Sequence, residues 1–354
     1  MAAAYLARFL EENEFERWNK FVASCPAGSI YSSADYLDIL CRNAGGSFRI
    51  LAAFSGDELA CGLALYERKT LNRTYVSPRL LLYYNGLVCR EHTSRYPSQN
   101  CSKEIALLSA LYEKLFTQKY AAFSLRNRSP ITDVRPWIAK GWRATVSYSY
   151  EVSLSDMEAQ WAKVDQNLRR LINRCAKQDF TVTEDDDFDS FYELHKQTYL
   201  RKGVEIYLPY GNFKQYFKEL REHNLCRMFH ARLPDGKVVS SQLVLLGSHP
   251  VTHTVCAAAA EEYLATGVTA FLRWRVFERI AELGYRANDL TDAALNPVTK
   301  FKSQLGGDLR MSVIISQPAS PLFQLNRSIR DSIKQNKTRV ARQIRKRWAH
   351  YSHG

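Results

Sequence analysis

No stretch of this 354-residue chain approaches about 18 uninterrupted apolar residues, the length a helix needs to cross a bilayer core, so no transmembrane helix is expected. The opening segment from Met1 to Leu10 lacks a basic region leading into a long apolar core and turns acidic at Glu11. A signal peptide is therefore not expected. No Gly-x-Ser-x-Gly, Walker or Gly-x-Gly-x-x-Gly pattern occurs, which argues against hydrolase, P-loop and Rossmann chemistry. There is no Cys-x-x-Cys pair, no short-period repeat and no low-complexity linker.

What is present is the composition of a folded protein: 46% hydrophobic and 12% aromatic residues in a chain long enough for two domains of ordinary size. The eight cysteines lie at positions 25, 41, 61, 89, 101, 175, 226 and 256. Without a secretory signal they are expected to be free, mostly buried thiols in a cytoplasmic protein. The net charge is +13 and is unevenly placed. Between Asn326 and His350 nine basic residues face one acid, Asp331, so that stretch supplies a net eight (nine minus one) of the thirteen charges. Its apolar positions Leu325, Ile329, Ile333, Val340, Ile344 and Trp348 recur at helical spacing. A basic amphipathic helix is expected over 319–354, with two partners left open for 325–350: an anionic membrane surface or a nucleic-acid backbone such as tRNA.

Two halves repeat one order of elements. In the first, helices around 14–24 and 34–43 precede a hairpin of Phe48–Phe54 and Leu59–Glu67, and Leu80–Leu87 reads as a further strand. A helix over 103–118, a strand over 120–125, a short helix over 134–140 and strands over 142–154 follow. In the second, a long helix runs over 156–178 with Ser155 as N-cap and Glu158 at the capping-box position. A strand over 180–184 and helices over 187–201 and 212–222 come next. The hairpin of Cys226–Leu233 and Val238–Gly247 turns at Pro234-Asp235-Gly236-Lys237. A strand at 252–258, a helix at 267–284 and strands at 286–290 and 311–316 complete it. The expected fold is α/β with mixed sheets in two tandem domains, 1–154 and 155–318, followed by the basic segment.

The most informative stretch runs from Trp274 to Gly307. An amphipathic helix stops at Gly284, a short strand Tyr285–Leu290 ends at Thr291-Asp292, and the chain continues to Thr299-Lys300-Phe301-Lys302-Ser303-Gln304-Leu305-Gly306-Gly307. This order, with Asn167–Phe180, Tyr192–Gly203, Gly236–Val244 and Thr254–Ala258, resembles the second domain of the FemABX transferases, a branch of the GNAT-like acyltransferases with BioF2-like relatives. The resemblance covers roughly 155–315. It implies transfer of an acyl or aminoacyl group from acyl-CoA or aminoacyl-tRNA to an amine of a cell-envelope or polysaccharide precursor, small or lipid-linked. Some members carry a coiled-coil arm for tRNA, and no heptad insertion is present here. The alternative is a non-catalytic protein of the same fold that binds RNA or membrane through its basic tail.

Candidate residues follow. By the resemblance Lys302 stabilises the oxyanion of a tetrahedral intermediate, and Phe301 packs beside the reacting group. Asp289 and Asp292 stand at a strand's carboxyl end, where α/β sheets build their sites; either can take a proton from the attacking amine or hold it. Lys300, Tyr199 and Arg201 are candidates for binding substrate, and Arg169 and Arg170, with Arg174, form a basic helix face suited to phosphates. Thr266 and Gly267, in Leu264-Ala-Thr-Gly-Val-Thr269, occupy the place of the loop that holds the CoA pyrophosphate at a helix start. Gly267 keeps that pattern; Leu264 and Thr269 depart from it. His249 and His253 sit on a strand start without further ligands nearby, so no metal is expected. No activated Cys or Ser is apparent, so direct attack by the acceptor amine is expected.

Overall fold

A computed structural model of the chain describes residues 5–317 except 80, 92, 202, 204 and 296. The basic segment 319–354 lies outside the described residues. In the first half the elements are β1 (Leu6–Phe9), α1 (Phe15–Ser24), α2 (Ala34–Ala44), β2 (Ser47–Ser55), β3 (Glu58–Thr70), β4 (Arg73–Val76), β5 (Leu87–Cys89), α3 (Pro97–Phe116), β6 (Ala122–Arg126), α4 (Arg135–Ile138) and β7 (Arg143–Ser153). The second half holds α5 (Met157–Lys163), α6 (Gln166–Ala176), β8 (Thr181–Glu184), α7 (Phe188–Arg201), α8 (Tyr210–Glu222), β9 (Cys226–Arg232), β10 (Val238–Leu245), β11 (Val251–Ala259), α9 (Val268–Glu282), β12 (Ala287–Asp289), α10 (Pro297–Gln304) and β13 (Asp308–Ser316).

All the strands join one mixed sheet in the order β1-β2-β3-β4-β6-β13-β7-β12-β11-β10-β9-β8, with β5 paired to β3. Each half contributes antiparallel strands that meet a parallel neighbour across a helix: β4 pairs β6, and β11 pairs β12. The halves interlock at the centre. The last strand, β13, inserts between β6 and β7, and the other edge of β7 pairs with β12.

Apolar burial follows the same plan. On one face α1, α2, α7 and α8 share a single core that spans both halves, from Trp18 and Tyr36 to Phe213 and Tyr216. The Tyr36 and Tyr216 hydroxyls meet at 2.9 Å inside it. The opposite face is covered separately, by α3 and α4 around Trp137 in the first half and by α5, α6 and α9 around Phe277 in the second.

Four expectations change. The helix over 156–178 is two helices: Val164 is extended, and Asp165 caps α6 by accepting from the Asn167 and Leu168 N–H groups at 2.9 and 3.2 Å. A side chain that satisfies orphan N–H groups restarts the helix there. Asp156, not Ser155, caps α5, accepting from Ala159 at 2.9 Å. Leu80–Leu87 is not one strand: Arg79 and Leu82 form an isolated bridge, Leu81 adopts φ 64°, and β5 begins only at Leu87. A left-handed residue cannot continue a ladder. Finally, Cys61 and Cys89 are joined in a disulfide, because β3–β5 pairing sets them directly opposite. The other six cysteines are free thiols. Among the described residues no helix is long and apolar enough to cross a membrane.

Candidate active site

Between the halves lies a cleft of about 310 Å³ lined by Tyr31, Pro78, Arg79, Leu81, Tyr83 and Arg126 from the first and Val255, Thr291 and Asp292 from the second. Its second-half wall is the turn that leaves β12. Thr291 has φ 50° and Asp292 φ 21°, conformations that cost an L-residue on the order of 1–3 kcal/mol each and persist only when surroundings enforce them. The enforcement is visible. Leu290 and Ala293 donate to the carbonyls of Tyr150 and Tyr148 on β7, both at 2.8 Å. The Thr291 N–H donates to Asp289 Oδ1 at 2.7 Å. From α10, Lys302 Nζ donates to the Thr291 and Asp292 carbonyls at 2.7 and 2.6 Å.

The Phe-Lys-x-x-Leu-Gly-Gly motif is the mount for that lysine. Phe301 packs against the α5–α6–α9 core, and Leu305 is fully buried in it. Gly306, at φ 77°, lies where a Cβ would come within 2.9 Å of Lys163, and Gln160 Nε2 donates to its carbonyl at 2.9 Å. Only glycine permits both the left-handed turn and that approach. The end of α10 is thereby fixed to α5, and with it the reach of Lys302.

Asp289 stands behind the wall rather than on it. It is 2% exposed, accepts from the Tyr84 hydroxyl at 2.7 Å, and lies 3.8 Å from His253 Nδ1. Burial raises its carboxyl above the usual range; Arg128 and the Tyr84 hydrogen bond oppose that shift. His253 is fully buried, and burial, aided by Arg128, holds it neutral well below the ordinary imidazole value. The Tyr31 ring packs against its imidazole in a tilted arrangement, centroids 4.8 Å apart. Asp292, by contrast, is exposed and belongs to the cleft lining.

The first-half wall is cationic. The Arg126 guanidinium lies 4.2 Å over the Tyr83 ring, and Arg79 donates to the Tyr66 hydroxyl. Neither meets a carboxylate at ion-pair distance among the described residues. Burial pushes the Tyr83 phenol up to about 12, so it stays a hydrogen-bond donor near neutral pH.

The remaining candidates fall elsewhere. Lys300 is exposed and absent from the cleft lining. Tyr199 lies between His195 and Tyr207, with ring centroids at 5.0 and 5.8 Å, and burial raises its phenol to about 12. Arg201 donates to the Ala259 carbonyl at 3.1 Å, at the carboxyl end of β11. Arg169 is half-buried and Arg170 exposed on α6, while Arg174 of the same helix donates to the Thr266 carbonyl at 3.3 Å. The basic helix therefore flanks the 266–267 loop. There the Thr266 hydroxyl accepts from the Val268 N–H at 3.2 Å, and Gly267, at φ 94°, starts α9. A Cβ at Gly267 would come 3.1 Å from Leu171 of α6. His249 bonds the Cys25 carbonyl and the Val251 N–H, each at 3.2 Å. Among the described residues no group of His, Cys, Asp and Glu converges to hold a metal ion.

Sequence reasoning misses the whole first-half wall: Tyr31, Arg79, Leu81, Tyr83 and Arg126. The available signal is Pro78, since proline and its neighbours interrupt a regular strand immediately before Arg79.

Residues 162–303 match the family model for the acetyltransferase (GNAT) domain. Among solved structures the chain is similar to FemX, with TM-score 0.70 and 14% identity over 90% of this chain and 99% of that one. It is also similar to the C-terminal domain of a putative lysylphosphatidylglycerol synthetase from Agrobacterium fabrum, with TM-score 0.56 and 14% identity over 86% and 92% of the two chains. A tandem GNAT protein from the clavulanic acid biosynthesis pathway gives TM-score 0.54 and 12% identity over 90% and 98%. At such identities the likeness is one of fold. No curated protein matches the chain by sequence.

Proposed function

We infer that this chain, which carries a GNAT acetyltransferase domain and has the tandem fold of FemX, moves an acyl or aminoacyl group onto an amine held in the cleft between its halves. We take 1–154 as a degenerate GNAT-like domain that supplies the cationic wall and 155–318 as the transfer domain. The observation that carries the reading is the coincidence of cleft, strained turn and Lys302 at the carboxyl end of β12.

The chemistry is a single displacement. The acceptor nitrogen attacks the carbonyl carbon of a thioester or ester; the C–N bond forms and the C–S or C–O bond breaks. Asp292, exposed on the wall, takes the proton the nitrogen loses, and the departing thiolate or alkoxide takes one from solvent. Asp289 holds the turn in place from behind. Lys302 sets a positive charge immediately behind two lining carbonyls, so negative charge developing on the carbonyl oxygen lies within its field. Burial raises the thiols of Cys25 and Cys175 to about 11 and those of Cys41 and Cys256 to about 12. That disfavours a thiolate nucleophile and favours direct attack.

The donor is acyl-CoA or aminoacyl-tRNA, with Thr266, Gly267, Arg169 and Arg170 beside its phosphates. Phe301, Tyr199 and Arg201 are read as contacts to substrate portions outside the cleft; Lys300, exposed and away from the cleft lining, is given no part in it. The acceptor is an amine of a cell-envelope or polysaccharide precursor, a reading supported by a fold neighbour named for lysylphosphatidylglycerol, a lipid product. A basic 325–350 segment suits it as well, since tRNA and lipid headgroups both present phosphate.

The test is turnover of labelled acetyl-CoA and of labelled aminoacyl-tRNA in the presence of amine acceptors. Transfer is expected with one donor, and Lys302→Ala lowers it by about 10²–10³-fold. Absence of transfer from both donors overturns the reading.

A further inference from the structure

Arg273 is the outlier of the second half. It sits in α9, is 6% exposed, and its Nε and Nη1 are buried with no hydrogen-bond partner among the described residues. Burial is the only influence on its guanidinium and pulls it down to about 10, with no carboxylate opposing. Buried guanidinium groups are ordinarily paired, because an unpaired charge in the interior is costly.

The surroundings of Arg273 are polar in a way the apolar core around them is not. Four residues earlier on the same helical face, Thr269 Oγ1 is likewise buried without a partner. Val276 and Ile280, fully buried, continue that face. Phe271, Trp274, Arg275 and Glu278 on the opposite side lie against residues of α5 and α6, so the Thr269–Arg273 face is the one turned to the sheet. Below it α9 packs on β9, β10 and β11. On β10, Ser240, Gln242 and Val244 point to one side of the sheet by register, and Val244 packs in the same cluster as α9. From Gln242 a chain of buried side-chain hydrogen bonds crosses three strands. Gln242 Nε2 donates to Thr254 Oγ1 at 3.4 Å, Thr254 to Asn288 Oδ1 at 2.9 Å, and Asn288 Nδ2 to Thr252 Oγ1 at 2.7 Å. Ala257 and Ala259, opposite Gln242 and Ser240, add only small side chains to this floor.

We propose that Thr269 and Arg273 form an anion subsite between α9 and this polar strip, and that a carboxylate or phosphate of the acyl donor occupies it. The place is the crossover from β11 to its parallel neighbour β12, and in open α/β sheets ligands enter at the carboxyl ends of such strands. Only the identification of the anion's carrier rests on the acyltransfer reading; the anion site itself does not.

Thermal unfolding of the full chain tests it, for wild type, Arg273→Met and Arg273→Lys, with succinate, inorganic phosphate, acetyl-CoA and succinyl-CoA as probes. Wild type is expected to be stabilised saturably by at least one probe. Arg273→Met removes an unpaired buried charge, so it melts about 2 °C or more above wild type without ligand. It binds the effective probe about tenfold or more weakly, and Arg273→Lys falls between. If succinate and succinyl-CoA act and acetyl-CoA does not, the anion belongs to the acyl group; if phosphate and both thioesters act alike, it belongs to the donor's phosphates. An Arg273→Met protein that melts below wild type, or one that responds to every probe as wild type does, overturns the proposal. An anion response lost in Arg273→Met, together with no turnover of any donor, leaves the subsite standing and removes the acyltransfer reading.

Discussion

Lys302 and Arg273 are cations of the same half put to opposite uses. Lys302 reaches out of a short helix to a turn and gives hydrogen bonds to two carbonyls of that turn. Arg273 lies inside a long helix, almost wholly buried, and its Nε and Nη1 bond nothing among the described residues. A charge whose hydrogen bonds are used locally holds architecture together, and its removal breaks what it held. A buried charge left unpaired burdens the empty protein and is explained by something that arrives. The pair therefore makes a prediction of sign. Lys302→Ala lowers the unfolding midpoint, because two carbonyls and two left-handed residues lose their clamp at about 1–3 kcal/mol, and it lowers transfer by the larger factor given above. Arg273→Met moves the midpoint the other way. If both variants shift it in the same direction, the distinction between clamp and receptor fails.

Asp289 and Asp292 sharpen the contrast between wall and backing. Asp289 keeps the Thr291 N–H and the Tyr84 hydroxyl as donors in a buried setting, whereas Asp292 is exposed on the cleft. Tyr84→Phe removes one donor from a buried carboxylate and is expected to cost about 1–3 kcal/mol. The missing bond favoured the ionised form, so Asp289 rises further and the cost is larger at pH 8 than at pH 5. Denaturant unfolding at the two pH values checks this; an equal loss at both means that the carboxyl keeps one protonation state across that range.

How much of this is legible from residues alone depends on the range of the interactions. The β9–β10 hairpin announces itself through Pro234-Asp235-Gly236-Lys237, with Gly236 at φ 86° and Leu233 donating to Lys237 at 2.9 Å. Such turn chemistry is local. Asp289, Asp292 and Lys302 are likewise close in sequence, so one motif brings them into view together. The Arg79–Tyr83 wall is not legible, because it meets Thr291 only after β13 has crossed into the first half and the Tyr36 hydroxyl has bonded the Leu81 carbonyl. Cys61 and Cys89 are hidden for the same reason: their spacing carries no signal, while register sets them opposite. Arg273 is hidden differently. In a helix of alternating charge and apolar residues nothing marks the one arginine that turns inward, and only burial separates it from Arg275, which pairs with Glu278 at 2.9 Å on the outer side.

The backing layer also titrates differently from the wall. Burial lowers His230, brings His249 to about 4 and holds His253 well below its ordinary value. Their neighbours set the details: Asp185, Asp187 and Arg232 around His230, Arg128 beside His249, and Asp289 with Arg128 around His253. In the unfolded chain these imidazoles take up protons near pH 6.5, before the folded chain does. Stability is therefore fully present above about pH 6.5 and falls as pH drops toward 4, each histidine contributing at most about 1.4 kcal/mol per pH unit. His249→Gln is expected to flatten that slope by one proton's worth between about 6.5 and 4, measured as unfolding free energy against pH. An unchanged slope means His249 titrates normally in the folded protein.

The smallest expected effect is the most pointed control. Lys300 and Lys302 sit two residues apart on α10, and from residues alone either ammonium could serve the site. The helix separates them: Lys300 is exposed, while Lys302 turns to the Thr291–Asp292 carbonyls. A surface substitution away from special features stays within about ±0.5 kcal/mol, so Lys300→Ala should leave the unfolding midpoint and the rate of transfer close to wild type. Lys302→Ala loses both. If Lys300→Ala reduces transfer with its midpoint intact, this ammonium touches substrate beyond the cleft, and the site extends outward along α10 from the wall described above.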